Sequence, residues 1–122
     1  MPLFMTEAKF TEETLGLMTI QPSDRPDAVA KVIEAHGGKL QNFYWVFGDT
    51  DVVFTYEARN NETALAILMA LSNGDAVAFH KTRVLISNKE AMAAMRRPGR
   101  VKTGYTWPRR EWEGWIDEGG EG

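Results

Sequence analysis

Asp49 and Asp51, two positions apart in the run Gly48-Asp49-Thr50-Asp51, form the tight carboxylate pair of the chain's strand-and-turn region. Two close carboxylates split their pKa values and can share acid and base roles. A turn uses the same residues to accept hydrogen bonds from its own amides, and that is the more economical account. His80 supplies an imidazole that titrates near neutrality and can act as general acid or base. Its same-parity neighbours Thr82, Val84 and Ile86 make a hydrogen-bonded core or interface histidine the ordinary alternative. Tyr44 and Tyr56 carry hydroxyls that need partners, which makes them candidate pocket walls, whereas Trp45 reads as core. The catalytic candidates are thus His80, Asp51, Tyr44 and Tyr56. His36, just before Gly37, instead complements a helix C-terminal dipole.

A second constellation is polar. Glu7 and Lys9, Thr55 and Glu57, and Lys81 and Arg83 fall on one parity of three strands. Such a set can hold a small anionic or polar metabolite, with Lys81 and Arg83 as donors. The plainer account is a cross-strand salt network at a sheet interface. Lys9, Thr55, Glu57, Lys81 and Arg83 are the ligand-binding candidates.

Other chemistries find no support. The 122 residues include no cysteine, which excludes disulfides and thiol nucleophiles. The two histidines, His36 and His80, are far apart and neither lies in a metal-ligand spacing, so no metal is expected. Gly37-Gly38 and Gly119-Gly120 do not sit between a strand and a helix as a phosphate loop must, and no Gly-x-Ser-x-Gly elbow occurs. No cofactor is expected. A net charge of −3 gives no general attraction to nucleic acid or anionic membrane. Neither a signal peptide nor a membrane span is apparent, and a cytoplasmic protein is the expectation.

The elements that would position these groups follow from periodicity. Leu3 to Phe10 alternates as a strand, and Glu12 to Met18 carries about one helical turn. Pro26 suits a first helical turn capped by Ser23 or Asp24; Ala28, Val29, Val32 and Ile33 make its apolar stripe, and Gly37 ends it. Leu40 to Phe47 and Val52 to Ala58 read as strands joined by a tight turn. Asn60 or Asn61 caps a helix from Glu62 to Ser72, and Ala76 to Ile86 is a fourth strand. Ser87 and Glu90 have capping-box spacing and open a short helix to Met95. The order β-α-β-β-α-β plus a helix is α+β, the ferredoxin-like split arrangement with an antiparallel sheet. Phe43, Trp45 and Phe47 on one parity, with Leu40, Tyr44 and Val46 on the other, leave both sheet faces apolar. Two sheets packed together would cover the second face.

Gly37-Gly38-Lys39-Leu40, Phe43-Tyr44-Trp45 and Phe47-Gly48-Asp49-Thr50-Asp51-Val52 resemble the small bacterial GYD family in order and wording. Weaker likenesses are Asn61-Glu62-Thr63-Ala64, Gly74, Lys81-Thr82 and Val84-Leu85, so the resemblance runs from about Leu3 to Met95. Thr50 stands where the name-giving tyrosine would be, and any role of that tyrosine does not transfer; Gly48 and Asp51 match. The family looks like a branch of the dimeric α/β-barrel superfamily, whose members pair sheets around a cavity. That superfamily includes monooxygenases, isomerases, decarboxylase-like enzymes and ligand-sensing domains. The resemblance implies a paired-sheet dimer with a cavity and leaves its use open.

The expected division is residues 1–96 as this domain and 97–122 as a tail. From Arg96 to Arg110 the tail has six basic residues and no acidic one, and from Glu111 onward five acidic and no basic. The acidic block argues against nucleic acid. Trp107, Trp112, Trp115 and Ile116 suit docking on a neighbouring subunit or another protein. Three functions remain: a homo-oligomeric domain (a homodimer or a multiple of dimers) that binds a small molecule at the sheet; a cofactor-free enzyme acting through acid–base chemistry; and an adaptor working through the tail. The lack of a nucleophile, metal cluster or cofactor loop favours the first.

Overall fold

The computed structural model describes residues 1–106 and 108. They belong to two compact units, Met1–Ile86 and a segment that begins at Ser87. The tail residues Trp107, Trp112, Trp115 and Ile116 lie outside the described residues.

The first unit runs β1 (Leu3–Phe10), α1 (Glu12–Ile20), α2 (Arg25–Ala35), β2 (Lys39–Trp45), β3 (Val52–Glu57), α3 (Asn61–Ser72) and β4 (Val77–Leu85). Its strands form one antiparallel sheet in the order β2-β3-β1-β4, the ferredoxin-like α+β arrangement. The departure from expectation is α1, a nine-residue helix where one turn was expected. Thr11 starts it by accepting a hydrogen bond from the Thr14 amide at 3.2 Å. Only Leu15 and Met18 of α1 pack on the core, while Leu17 and Ile20 face outward, so its apolar stripe is broken.

Side-chain oxygens cap the other helices. Asp24 accepts from the Asp27 amide at 3.0 Å to open α2, and Asn60 accepts from Thr63 at 2.9 Å to open α3. In the second unit, Ser87 and Glu90 close a reciprocal capping box at the start of α4 (Asn88–Arg96). No helix among the described residues is long and apolar enough to cross a membrane.

The core lies between α2, α3 and one face of the sheet. Phe4, Thr6, Ala8 and Phe10 of β1 and Val52, Phe54 and Tyr56 of β3 point into it, alternating with half-exposed residues. Ile33 from α2 and Ile67 from α3 are completely buried against them. Phe43, Phe54, Tyr56 and Phe4 run across three strands as a row of rings with centroids 5.6–5.8 Å apart.

The α2–β2 joint depends on two glycines. Gly37 has φ +82°, the left-handed region that ends a helix, and Gly38 lies against the Glu57 carbonyl of β3.

The parity expected for β2 holds only in part. A register shift between Leu40 and Asn42 puts Leu40 on the core side with Phe43 and Trp45 and leaves Tyr44 on the opposite side. Phe47 lies beyond the strand end and is fully exposed. The helix-free face is therefore less apolar than the sequence pattern implied.

Candidate functional site

The helix-free face gathers every member of the polar set. Pairing of β1 with β4 places Glu7 opposite Lys81 and Met5 opposite Arg83, while β1 with β3 places Leu3 opposite Glu57 and Met5 opposite Thr55. Glu7 is ion-paired and hydrogen-bonded to Arg83. That guanidinium holds the Glu7 carboxyl below the ordinary glutamate range. Glu57 accepts from Gln41 Nε2 at 2.6 Å and Thr55 from Asn42 Nδ2 at 3.2 Å. Lys9 and Lys81 make no ion pair among the described residues. The surface is open, and its polar groups largely serve one another.

Four catalytic candidates do not converge. Tyr44 is on the helix-free face, opposite Val53. Tyr56 is on the other face, completely buried in the core. Asp51 ties the β2–β3 turn to β1: its Oδ2 accepts from the Phe10 amide at 2.9 Å, and its own amide donates to the Ala8 carbonyl at 2.9 Å. His80 is exposed, on the helix-side parity of β4 opposite Ala8. His36 Nδ1 donates to the Val32 carbonyl at 2.8 Å in the last turn of α2.

Tyr56 belongs to a chain of three hydroxyls spanning three strands. Thr6 Oγ1 is 3.0 Å from Tyr56 Oη and 2.7 Å from Thr82 Oγ1. Burial pushes the Tyr56 phenol above its ordinary value, against the opposing pull of the Thr6 and Thr82 hydroxyls. The unfolded chain then releases this proton first, so native stability falls as pH rises from about 10, by up to about 1.4 kcal/mol per unit. Below that pH both states keep the proton and the phenol adds no pH dependence. Urea unfolding between pH 8 and 11 is expected to show a shallower alkaline decline for Tyr56→Phe than for the wild type. Parallel declines would assign the alkaline loss to other groups.

A cavity of about 60 Å³ lies on the helix side of the sheet. Thr6, Ala8 and Phe54 form part of its floor, Val29 of α2 and Leu68 of α3 its roof, and Val77 and His80 its β4 edge. This space holds several waters or one small apolar group. The lining is mostly hydrocarbon with few polar groups, chiefly Thr6, Ser72, Arg25 and His80.

Arg25 is the residue that the sequence reading missed. It opens α2 one position after the Asp24 cap and is only partly exposed. Its Nη1 donates to Ser23 Oγ at 3.3 Å, while its Nε is buried with no hydrogen-bond partner among the described residues. In the sequence it looks like one more charge between the Ser23 or Asp24 cap and Pro26. Of the predicted site residues that the structure describes, His80 alone reaches the cavity. No group of three or more His, Asp or Glu suited to a metal occurs among the described residues.

The GYD domain model matches residues 4–95. No curated protein matches the sequence. The crystal structure of MtbAldR is similar at a TM-score of 0.52 and 16% identity, over 71% of this chain and 54% of that one. This chain thus spans about half of MtbAldR's length, and at that identity the likeness concerns the fold alone. An uncharacterized NIPSNAP domain protein from Burkholderia xenovorans aligns over 71% of this chain and 94% of its own, at 13% identity and a TM-score of 0.40.

Proposed function

We propose, from the premise that this chain belongs to the GYD domain family, that it is a small-molecule-binding domain whose site is the helix-side cavity and which works as a homodimer paired through the helix-free sheet face. The observation that carries the reading is a mostly apolar cavity into which a few polar groups converge, the usual make-up of a small-ligand site. His80 at its edge and Thr6 in its floor orient what enters; Thr6 is bonded to the hydroxyls of Tyr56 and Thr82 rather than to His80.

Pairing through the opposite face is supported by what that face presents. Leu3, Met5, Val53 and Leu85 are half-buried, and Phe79 and Tyr44 are exposed at 45% and 62%. A two-fold arrangement would cover this strip on both copies at once. Lys9, Lys81 and the Glu7–Arg83 pair would then form the polar part of the interface.

Methyl-labelled protein titrated with a panel of small apolar compounds tests the site. Val29, Leu68, Leu71 and Val77 are expected to shift together. Shifts confined to Val53 and Leu85, or no binder at millimolar concentration, would remove the helix-side cavity as the site.

A further inference from the structure

We infer that the ligand of this cavity is a small carboxylic acid with a compact apolar body, its carboxylate held by Arg25 and its hydrocarbon end lying among Val29, Phe54 and Leu68. This rests on the helix-side cavity being the binding site.

Arg25 brings a fixed positive charge to a largely hydrocarbon wall, with no counter-charge beside it among the described residues. Among the described residues, no carboxylate lines the cavity. The two acids nearest in sequence are committed elsewhere: Asp24 caps the Asp27 amide at 3.0 Å, and Asp27 pairs with Lys31 at 3.2 Å. Among the described residues, the ion pairs are Lys31–Asp27 and Arg83–Glu7, and neither includes Arg25. Arg25 is part-buried, with Nη1 bonded to Ser23 at an exposed position and Nε buried, and hydrogen bonds to a charged group are stronger than neutral ones. A guanidinium beside a hydrocarbon lining is thus a ready partner for an anionic oxygen ligand.

The fork's geometry narrows the class. Nη1 is engaged by Ser23, whereas Nε, on the side-on edge that it shares with Nη2, is buried and free. The planar guanidinium fork suits the two oxygens of a carboxylate, which accept two parallel hydrogen bonds. A cavity of about 60 Å³ limits the body to a small branched group. A neutral apolar molecule would fill the space and leave Nε unpaired.

Isovalerate and isoamyl alcohol share a branched tail and differ in charge, so they are suitable probes for the full chain. Methyl NMR titration of the wild type is expected to show isovalerate binding about 10- to 100-fold more tightly than the alcohol, the range of a charge-assisted hydrogen bond. Both should shift Val29 and Leu68. In Arg25→Gln the ratio of acid to alcohol affinity is expected to fall to about one, while Arg25→Lys keeps part of the preference. Equal affinities in the wild type, with Val29 and Leu68 shifted by both, would overturn the carboxylate assignment and leave the site standing. An acid preference undiminished in Arg25→Gln, or isovalerate shifts centred on the Lys81 and Arg83 face, would overturn it also. If neither compound shifts the cavity methyls, the site itself falls and the assignment with it. Should Arg25→Gln fail to fold, the wild-type comparison of acid and alcohol decides alone.

Discussion

Gly38→Ala is expected to destabilise the first unit by about 2–3 kcal/mol, a drop in Tm of roughly 8–20 °C. A Cβ at this position would stand 2.3 Å from the Glu57 carbonyl oxygen and 2.9 Å from Ile33 Cγ2. The first is backbone in β3, which is hydrogen-bonded to strands on both sides, so it cannot swing away as a side chain would. The second is completely buried in the core. The Gly38 amide also donates to the Ile33 carbonyl at 2.9 Å, which pins the turn from the other side. Relief would require α2 and β2 to part, disturbing the helix that carries Arg25 and Val29. Gly16→Ala supplies the contrast. Nothing lies within 4 Å of a Cβ there, and the site is interior to α1. Its expected effect is a gain of about 0.4–1 kcal/mol, through helix propensity and a less flexible unfolded chain. Parallel thermal melts of the two variants check this, and similar shifts for both would show that the close approach of Gly38 to β3 does not limit stability.

Much of this architecture was legible in the sequence, because the features that set it are local. The Ser87–Glu90 spacing named a capping box, and both of its hydrogen bonds are present. Strict alternation along Leu3–Phe10 and Val52–Glu57 gave the facing of β1 and β3, and with it the gathering of Glu7, Lys9, Thr55, Glu57, Lys81 and Arg83 on one surface. Where alternation fails, so did the reading. The irregularity between Leu40 and Asn42 inserts one residue into β2, and a period of two carries no mark of such an insertion. The placement of Leu40 was lost there.

The cavity was not legible for a different reason. Polar residues on a strand announce themselves, so attention went to the helix-free face. A void depends on how closely helices approach a sheet, which no single residue encodes. Its telling polar residue, Arg25, follows a helix cap, where the sequence shows one more charge and no sign of a cavity. His80 was singled out as a chemical group, and only the parity of β4 puts it at the cavity edge rather than among Lys81 and Arg83.

Val53→Glu is expected to dissociate the proposed homodimer, raising its dissociation constant by at least about 100-fold, while leaving the subunit folded. Val53 sits in the helix-free face, directly opposite Glu7 on β1 and Tyr44 on β2. The Glu7 carboxyl is held below its ordinary range by Arg83, so it is charged at neutral pH and would repel a second carboxylate beside it. In the free subunit the new side chain faces water, and the cost is small. Between two sheets it would be removed from water without a partner, and two-fold symmetry would impose that cost twice. Val84→Glu is the matched control: Val84 is on the opposite side of β4 and already 54% exposed, so its charge would not enter the interface. Sedimentation velocity at micromolar concentration is expected to show dimers for the wild type and Val84→Glu and monomers for Val53→Glu, with the same circular dichroism for all three. A monomeric wild type, or equal dissociation of both variants, would refute pairing through this face. The helix-side cavity would survive that result, since its lining comes from one subunit. Binding and association are therefore separable by experiment, because the sheet that supports both presents one face to each.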